Sequence, residues 1–179
     1  TFKTSSMLFS AGLGLKVIEM LSLGVNLKYA GERLASDLST GVFASDVYAM
    51  LRWKSFCLSA GFANLGTSVK DASGASYHIP SSVRLAAGYG LAFADKHSLD
   101  AGLDADCFLA GKFAVSAGVQ YGFNDVVFVR AGYRASGAGM LPSGLSVGLG
   151  SKFLGVRLDA AFQKTPSLNI VAFSLGYGF

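Results

Sequence analysis

The chain has 179 residues, 51% hydrophobic and 15% charged, with 23 glycines and a formal net charge of +4. That length suits one domain with a real core, but the charged share falls well below the usual figure of about 25%. No apolar run approaches the roughly 20 residues of a spanning helix, Gly costs about 1 kcal/mol against Ala inside any helix, and no Lys/Arg run or aromatic–basic interleaving points to nucleic acid.

What remains is strands of alternating character. The first is expected over about Ser6–Val17, running into a short turn at Glu19–Met20. "LSLGVNLKY" alternates next, and the polar "AGERLASDLST" after it reads as a long loop, Gly31–Thr40. "FASDVYAML" leads to a short turn at Lys54–Ser55; "LSAGFANLGTSV" leads into a second long loop, Thr67–Pro80. "SVRLAAGYGLAF" sets Val83, Leu85, Ala87, Tyr89, Leu91 and Phe93 on one face against Arg84, Ala86, Gly88, Gly90 and Ala92. A turn at Ala94–Lys96 follows, then "HSLDAGLDADC", with Leu99, Leu103 and Cys107 opposite Asp100, Asp104 and Asp106. After a short link near Gly111, "KFAVSAGVQYGFN" puts Val115, Val119, Tyr121 and Phe123 against Ser116, Gly118, Gln120 and Gly122. Turns at Asn124–Asp125 and Leu154–Gly155 and loops "ASGAGMLPSG" and "QKTPS" separate the remaining strands, of which "NIVAFSLGYGF" is the last.

Roughly eleven such segments, most about 9–12 residues long, have the length of tilted membrane-crossing strands. Short turns alternate with mostly longer polar loops, as periplasmic turns and outer loops do in outer-membrane barrels. Trp53, Phe56, Phe93, Phe123, Phe153 and Phe179 fall at the short-turn ends of the apolar face, and Tyr29, Phe43, Phe62, Tyr133 and Phe162 near the other ends. Such girdles suit two membrane interfaces, whereas a soluble β-sandwich has no reason to segregate rings in this way. The expected fold is therefore all-β: a transmembrane antiparallel up-and-down β-barrel in the bacterial outer membrane, one domain over 1–179, with lipid as its first partner. The first strand runs toward a short turn, which puts residue 1 on the outer side. Complete bacterial barrels have even strand numbers, so a count of eleven implies either strands upstream or a miscount, and the chain is expected to be the C-terminal part of a larger barrel. It has neither an initiator Met nor a signal peptide, as a mature chain or a fragment would.

The inward face carries charges of both signs: Arg84, Asp100, Asp104, Asp106, Arg130, Arg134, Arg157 and Asp159, with Lys28, Asp46 and others. These are expected to form an ion-pair network lining the interior, since unpaired charges there would be costly if dry. Asp100, Asp104 and Asp106 could hold a cation, but pairing with arginines is the stronger expectation, and His78 and His97 have no Cys at ligand spacing for zinc. No metal or cofactor is expected. Cys57 and Cys107 read as separate thiols. No Ser-His-Asp set stands out, and "GAGMLPSG" lacks the Lys-Ser/Thr and helix of a phosphate loop, so no enzyme is expected. Thirteen inward glycines suggest an interior filled by protein rather than an open pore. The outer loops offer Glu32, Arg33, Asp37, Lys70, Asp71, Tyr77 and His78 for binding a protein partner.

Several stretches together resemble the PorV/PorQ-type outer-membrane proteins of the Bacteroidetes, a branch of the FadL-like barrel superfamily. They are "LSLGVNLKYAGERL", "FASDVYAML", the Asn64-Leu65-Gly66 ending of "LSAGFANLGTSV", "HIPSSVRLAAGY", and "AGVQYGFNDVVFVRAGY" with Gln120 where Glu is usual. The resemblance covers nearly the whole chain. It implies a 14-stranded barrel that acts as an accessory or shuttle in type IX protein secretion, with secreted cargo domains and other secretion-system proteins as partners. The alternatives are a FadL-like transporter of hydrophobic small molecules and a structural subunit of an outer-membrane assembly.

Overall fold

The computed structural model describes residues 5–35, 38–70, 76–137 and 143–178, without the side chains of 32–35, 38, 39, 69 and 70. Among these residues the chain forms thirteen strands and no helix. They are β1 (Ser5–Lys16), β2 (Leu21–Ala35), β3 (Leu38–Trp53), β4 (Phe56–Gly66), β5 (Ser68–Lys70), β6 (Ser76–His78), β7 (Ser82–Phe93), β8 (His97–Phe108), β9 (Phe113–Phe123), β10 (Val127–Ser136), β11 (Gly144–Phe153), β12 (Val156–Lys164) and β13 (Asn169–Tyr177). Eleven join one antiparallel sheet in the order β1-β2-β3-β4-β7-β8-β9-β10-β11-β12-β13, and β5 and β6 make a separate hairpin. Each main strand hydrogen-bonds to its sequence neighbour, the meander expected from alternating segments joined by turns.

By packing, the chain divides into two units. One comprises Thr1–Leu51, Ser59–Leu85 and Cys107–Gly111. In it, Phe9, Tyr29 and Phe43 stand opposite one another across β1, β2 and β3, as do Leu13, Val25 and Val47. The intervening residues of the other face run Ser10–Lys28–Ala44 and Gly12–Asn26–Asp46. The second unit comprises Arg52–Leu58, Ala86–Asp106 and Lys112–Phe179. There Tyr121, Val129, Leu149, Ala160 and Phe173 align across five strands, β9 to β13, with Gln120, Arg130, Gly148 and Ala161 on the opposite face. Because the side-chain period is two, a one-residue slip would exchange these faces; the registers from β1 to β3, up to the Arg33–Ser39 pair, and from β9 to β13 keep them apart.

The turns of the second unit are the short ones the sequence marks. Leu154 and Gly155 both take positive φ, 48° and 80°, as a two-residue turn that matches strand twist requires. Asn124 and Asp125 do the same at 53° and 54°, a conformation Asn and Asp tolerate better than most residues.

Few side chains are buried among the described residues. Ala63 and Ala114 are the buried apolar ones, and Asp46, Ser82, Asp106 and Thr165 the polar ones. Large apolar side chains instead stand exposed: Phe173 at 81%, Leu149 at 62% and Leu103 at 60%. A sandwich would cover them with a second sheet.

Two expectations need correction. Most of Gly31–Thr40 is strand rather than loop: β2 continues to Ala35 and β3 begins at Leu38, with Arg33 opposite Ser39 and a register irregularity between Arg33 and Ala35, while residues 36 and 37 lie outside the described ones. The ladder continues even though the hydrophobic alternation stops, because backbone pairing does not need an apolar face. Thr67–Pro80 is not wholly irregular either; Ser68–Lys70 pairs with Ser76–His78. Phe179 lies outside the described residues.

Candidate functional site

Three groups of side chains stand out, one in the first unit and two in the second.

In the first unit, Asp46 on β3 is 4% exposed. Lys28 on β2 reaches its Oδ2 at 2.6 Å, and Asn26 Nδ2 donates to the same oxygen at 3.3 Å. The other oxygen, Oδ1, accepts the Asn64 backbone N–H at 2.9 Å. Asn64 sits inside β4 with φ +56°, a left-handed conformation few side chains adopt. Exposure alternates up to Phe62 and Ala63, then slips by one, with Asn64 half-buried and Leu65 facing out. That is the behaviour of a β-bulge, where one extra residue re-aims the strand. The Asn64 side chain is held from both sides: its Oδ1 accepts from Lys28 Nζ at 3.1 Å and its Nδ2 donates to Pro80 O at 3.4 Å. Ser81 Oγ donates to Asn64 O at 2.6 Å.

In the second unit, a belt of polar side chains crosses the sheet. Gln120 Nε2 donates to Asp100 Oδ2 at 3.1 Å, and Arg130 Nε donates to Gln120 Oε1 at 2.6 Å. Arg130 Nη1 meets Asp159 Oδ1 at 2.5 Å, and Arg157 Nε meets Asp159 Oδ2 at 2.8 Å. The belt therefore runs from β8 through β9 and β10 to β12. It spans β11 because Gly148 and Gly150 bring no side chain there; a Cβ on Gly150 would lie 2.5 Å from Asp159 Oδ1. Beneath it lies the ring of Phe128, 5.8 Å from the Arg130 guanidinium and 5.9 Å from that of Arg157, within cation–π range. Arg134 makes a separate pair with Asp106 at 3.0 Å.

The third group is on the apolar face at a short turn. The His97 ring stacks on Phe93 at 5.5 Å and 17°, meets Phe123 edge-on at 5.3 Å, and lies 5.8 Å from Tyr121. His97 Nδ1 is 2.6 Å from Tyr121 Oη. A ring cluster with polar handles suits an interface between water and an apolar medium.

Of the expected charge network, Arg130, Arg157 and Asp159 come together, Arg134 meets Asp106, and Asp100 joins through Gln120. Asp104 on β8 and Arg84 on β7 are half-buried. Cys57 and Cys107 are free thiols. Of the expected partner-binding residues, the side chains of Glu32, Arg33, Asp37, Lys70 and Asp71 lie outside the description, whereas Tyr77 and His78 are exposed on β6. Sequence reasoning missed Phe128, an apolar ring on the polar face, though its parity with Arg130 could have placed it there. It also missed the link between Asp46 and Asn64, for which only register gives a signal.

No protein-family model and no curated protein sequence matches the chain. Among solved structures, a triple mutant of the Rhodopseudomonas blastica porin is similar at 12% identity and a TM-score of 0.46, over 98% of this chain and 91% of the porin.

Proposed function

We propose that the chain forms part of the wall of an outer-membrane barrel whose task is to bind proteins at the cell surface, as a non-enzymatic accessory or shuttle of type IX secretion. The observation that carries the membrane half of this reading is the exposed apolar face. In the second unit it is edged near the short turns by Trp53, Phe56, Phe93, Phe123, Phe153 and Tyr177. On β9, Phe113 and Phe123 are ten residues apart, about 33 Å along a strand and roughly 24 Å across a layer at a tilt of about 45°. That matches the apolar band of outer-membrane barrels. No helix among the described residues is long and apolar enough to cross a membrane, so strands would do so.

The secretion half rests on the resemblance of several strands to PorV/PorQ-type proteins, and on Tyr77 and His78, exposed on β6. Part of the inward space that a plug was expected to fill is taken by this chain itself: a Cβ on Gly61 would meet the Tyr48 ring and the Val47 carbonyl.

The test is co-purification from detergent-solubilised outer membranes, with wild type beside Tyr77→Ala and His78→Ala. Retention of large secreted proteins or secretion-system components, weakened by these changes, is expected. Bound fatty acids without protein would favour a FadL-like transporter, and an assembly lacking cargo would favour a structural subunit.

A further inference from the structure

The β5–β6 hairpin leaves the sheet between β4 and β7, and both its feet are tied down. At the first foot, Thr67 and Phe43 bond reciprocally: Thr67 N–H donates to Phe43 O at 3.0 Å, and Phe43 N–H donates to Thr67 Oγ1 at 3.4 Å. The adjoining Leu65 carbonyl accepts from Ser45 Oγ at 3.1 Å. At the second foot, Pro80 and Ser81 are held by Asn64 through its Nδ2 and its carbonyl, and Ser81 O accepts from Leu109 N–H at 2.9 Å. Asn64 thus lies one step from the first foot and in contact with the second. Its own conformation depends on Asp46, which takes its N–H, and on Lys28, which bridges Asp46 and the Asn64 side chain.

We infer that Lys28, Asp46 and Asn64 are positioning residues that fix the pose of the β5–β6 hairpin, so that β6, with Tyr77 and His78, meets a protein partner in one orientation. This rests on the docking role proposed above. The physical reason is the cost of association: a recognition element immobilised in advance loses less freedom on binding. A long connection with free feet would sample many poses. Here a backbone conformation that most residues avoid is held by a buried carboxylate and clamped by an ammonium. Such over-determined strain is found where a segment must be aimed.

The experiment uses the full chain in outer-membrane vesicles, as wild type, Asp46→Asn, Lys28→Met and Asn64→Gly. Glycine keeps the left-handed backbone but removes both side-chain clasps, so it is the variant least prone to misfolding. Folding is checked by heat modifiability. Amide hydrogen exchange is then followed at Thr67 and Leu109, whose N–H groups secure the two feet, with Tyr121 and Val129 of the second unit as references. Partner retention is scored in parallel. The expected result is exchange at least tenfold faster at Thr67 and Leu109, unchanged exchange at the references, and reduced retention of partner. Unchanged exchange at both feet in folded Asn64→Gly and Asp46→Asn protein would overturn the inference. Faster exchange with full retention would uphold the anchor and refute the docking role of the hairpin.

Discussion

Val119→Arg tests the membrane reading through one side chain. Val119 on β9 is 51% exposed on the apolar face and stands opposite Ala131. Between Phe113 and Phe123 the midpoint is residue 118, so Val119 lies about 2–3 Å from the centre of the band at a rise of about 3.3 Å per residue and a tilt of about 45°. Arginine at the midplane of a barrel wall costs about 2–4 kcal/mol, which is about a 30- to 1,000-fold loss in the folded-to-unfolded ratio. The control is Ala161→Arg, on the opposite face, exposed and flanked by Gly148 and Ala172. Ala114 would be a poor control despite its polar-face parity, because it is 1% exposed and an arginine there would have to displace its neighbours. The assay is reversible urea unfolding in phospholipid vesicles, followed by heat-modifiable mobility and tryptophan emission. A Val119→Arg cost below about 0.5 kcal/mol, or one no larger than that of Ala161→Arg, would refute a lipid-facing apolar face.

Gly61→Ala should destabilise by about 1–3 kcal/mol through overpacking, because the new Cβ meets the Tyr48 ring and a backbone carbonyl, whereas Gly176→Ala, with nothing within 4 Å, should be near neutral; urea midpoints separate the two. Asn64→Ala should cost about 1–2 kcal/mol more than Asn64→Gly by the same measurement, since only glycine accepts φ +56° without a steric penalty. Arg134→Ala should cost more than Arg157→Ala in the same measurement, because Arg134 pairs with a buried carboxylate, Asp106, whereas the Arg157 side chain is half exposed. Phe128→Ala should loosen the Arg130–Asp159–Arg157 belt, seen as broadened guanidinium resonances in NMR while the fold persists.

How much was legible depended on how local the cause was. Period two fixed the faces, so Val119 and Gln120 were assigned to opposite sides from neighbouring letters alone, and the observed register agrees. Turns such as Asn124–Asp125 announced themselves through residues that accept positive φ. The partner of Arg130 was beyond such reasoning. It is Asp159, two strands away, reachable only because Gly150 leaves β11 bare at that level. Identifying it requires two registers at once. Phe128 was hidden because its apolar character argues for the outward face while its parity places it inward. Glu32, Arg33 and Asp37 give the β2–β3 extension the composition of a loop, although β2 runs to Ala35 and β3 begins at Leu38. Asn64 looks like any strand asparagine until Asp46 is brought beside it.

The central claim is that alternate residues of one strand face lipid and water. It is tested most directly by nitroxide scanning of β9 from Ala114 to Gly122 in lipid vesicles, in a background with Cys57→Ser and Cys107→Ser. Collision with oxygen, which concentrates in the bilayer, is compared with collision with a water-soluble nickel chelate. The account predicts oxygen maxima at Val115, Ala117, Val119 and Tyr121 and nickel maxima at Ser116, Gly118 and Gln120, with period two, and little collision with either reagent at the buried Ala114. A profile without that period, or with the two sets exchanged, would contradict it.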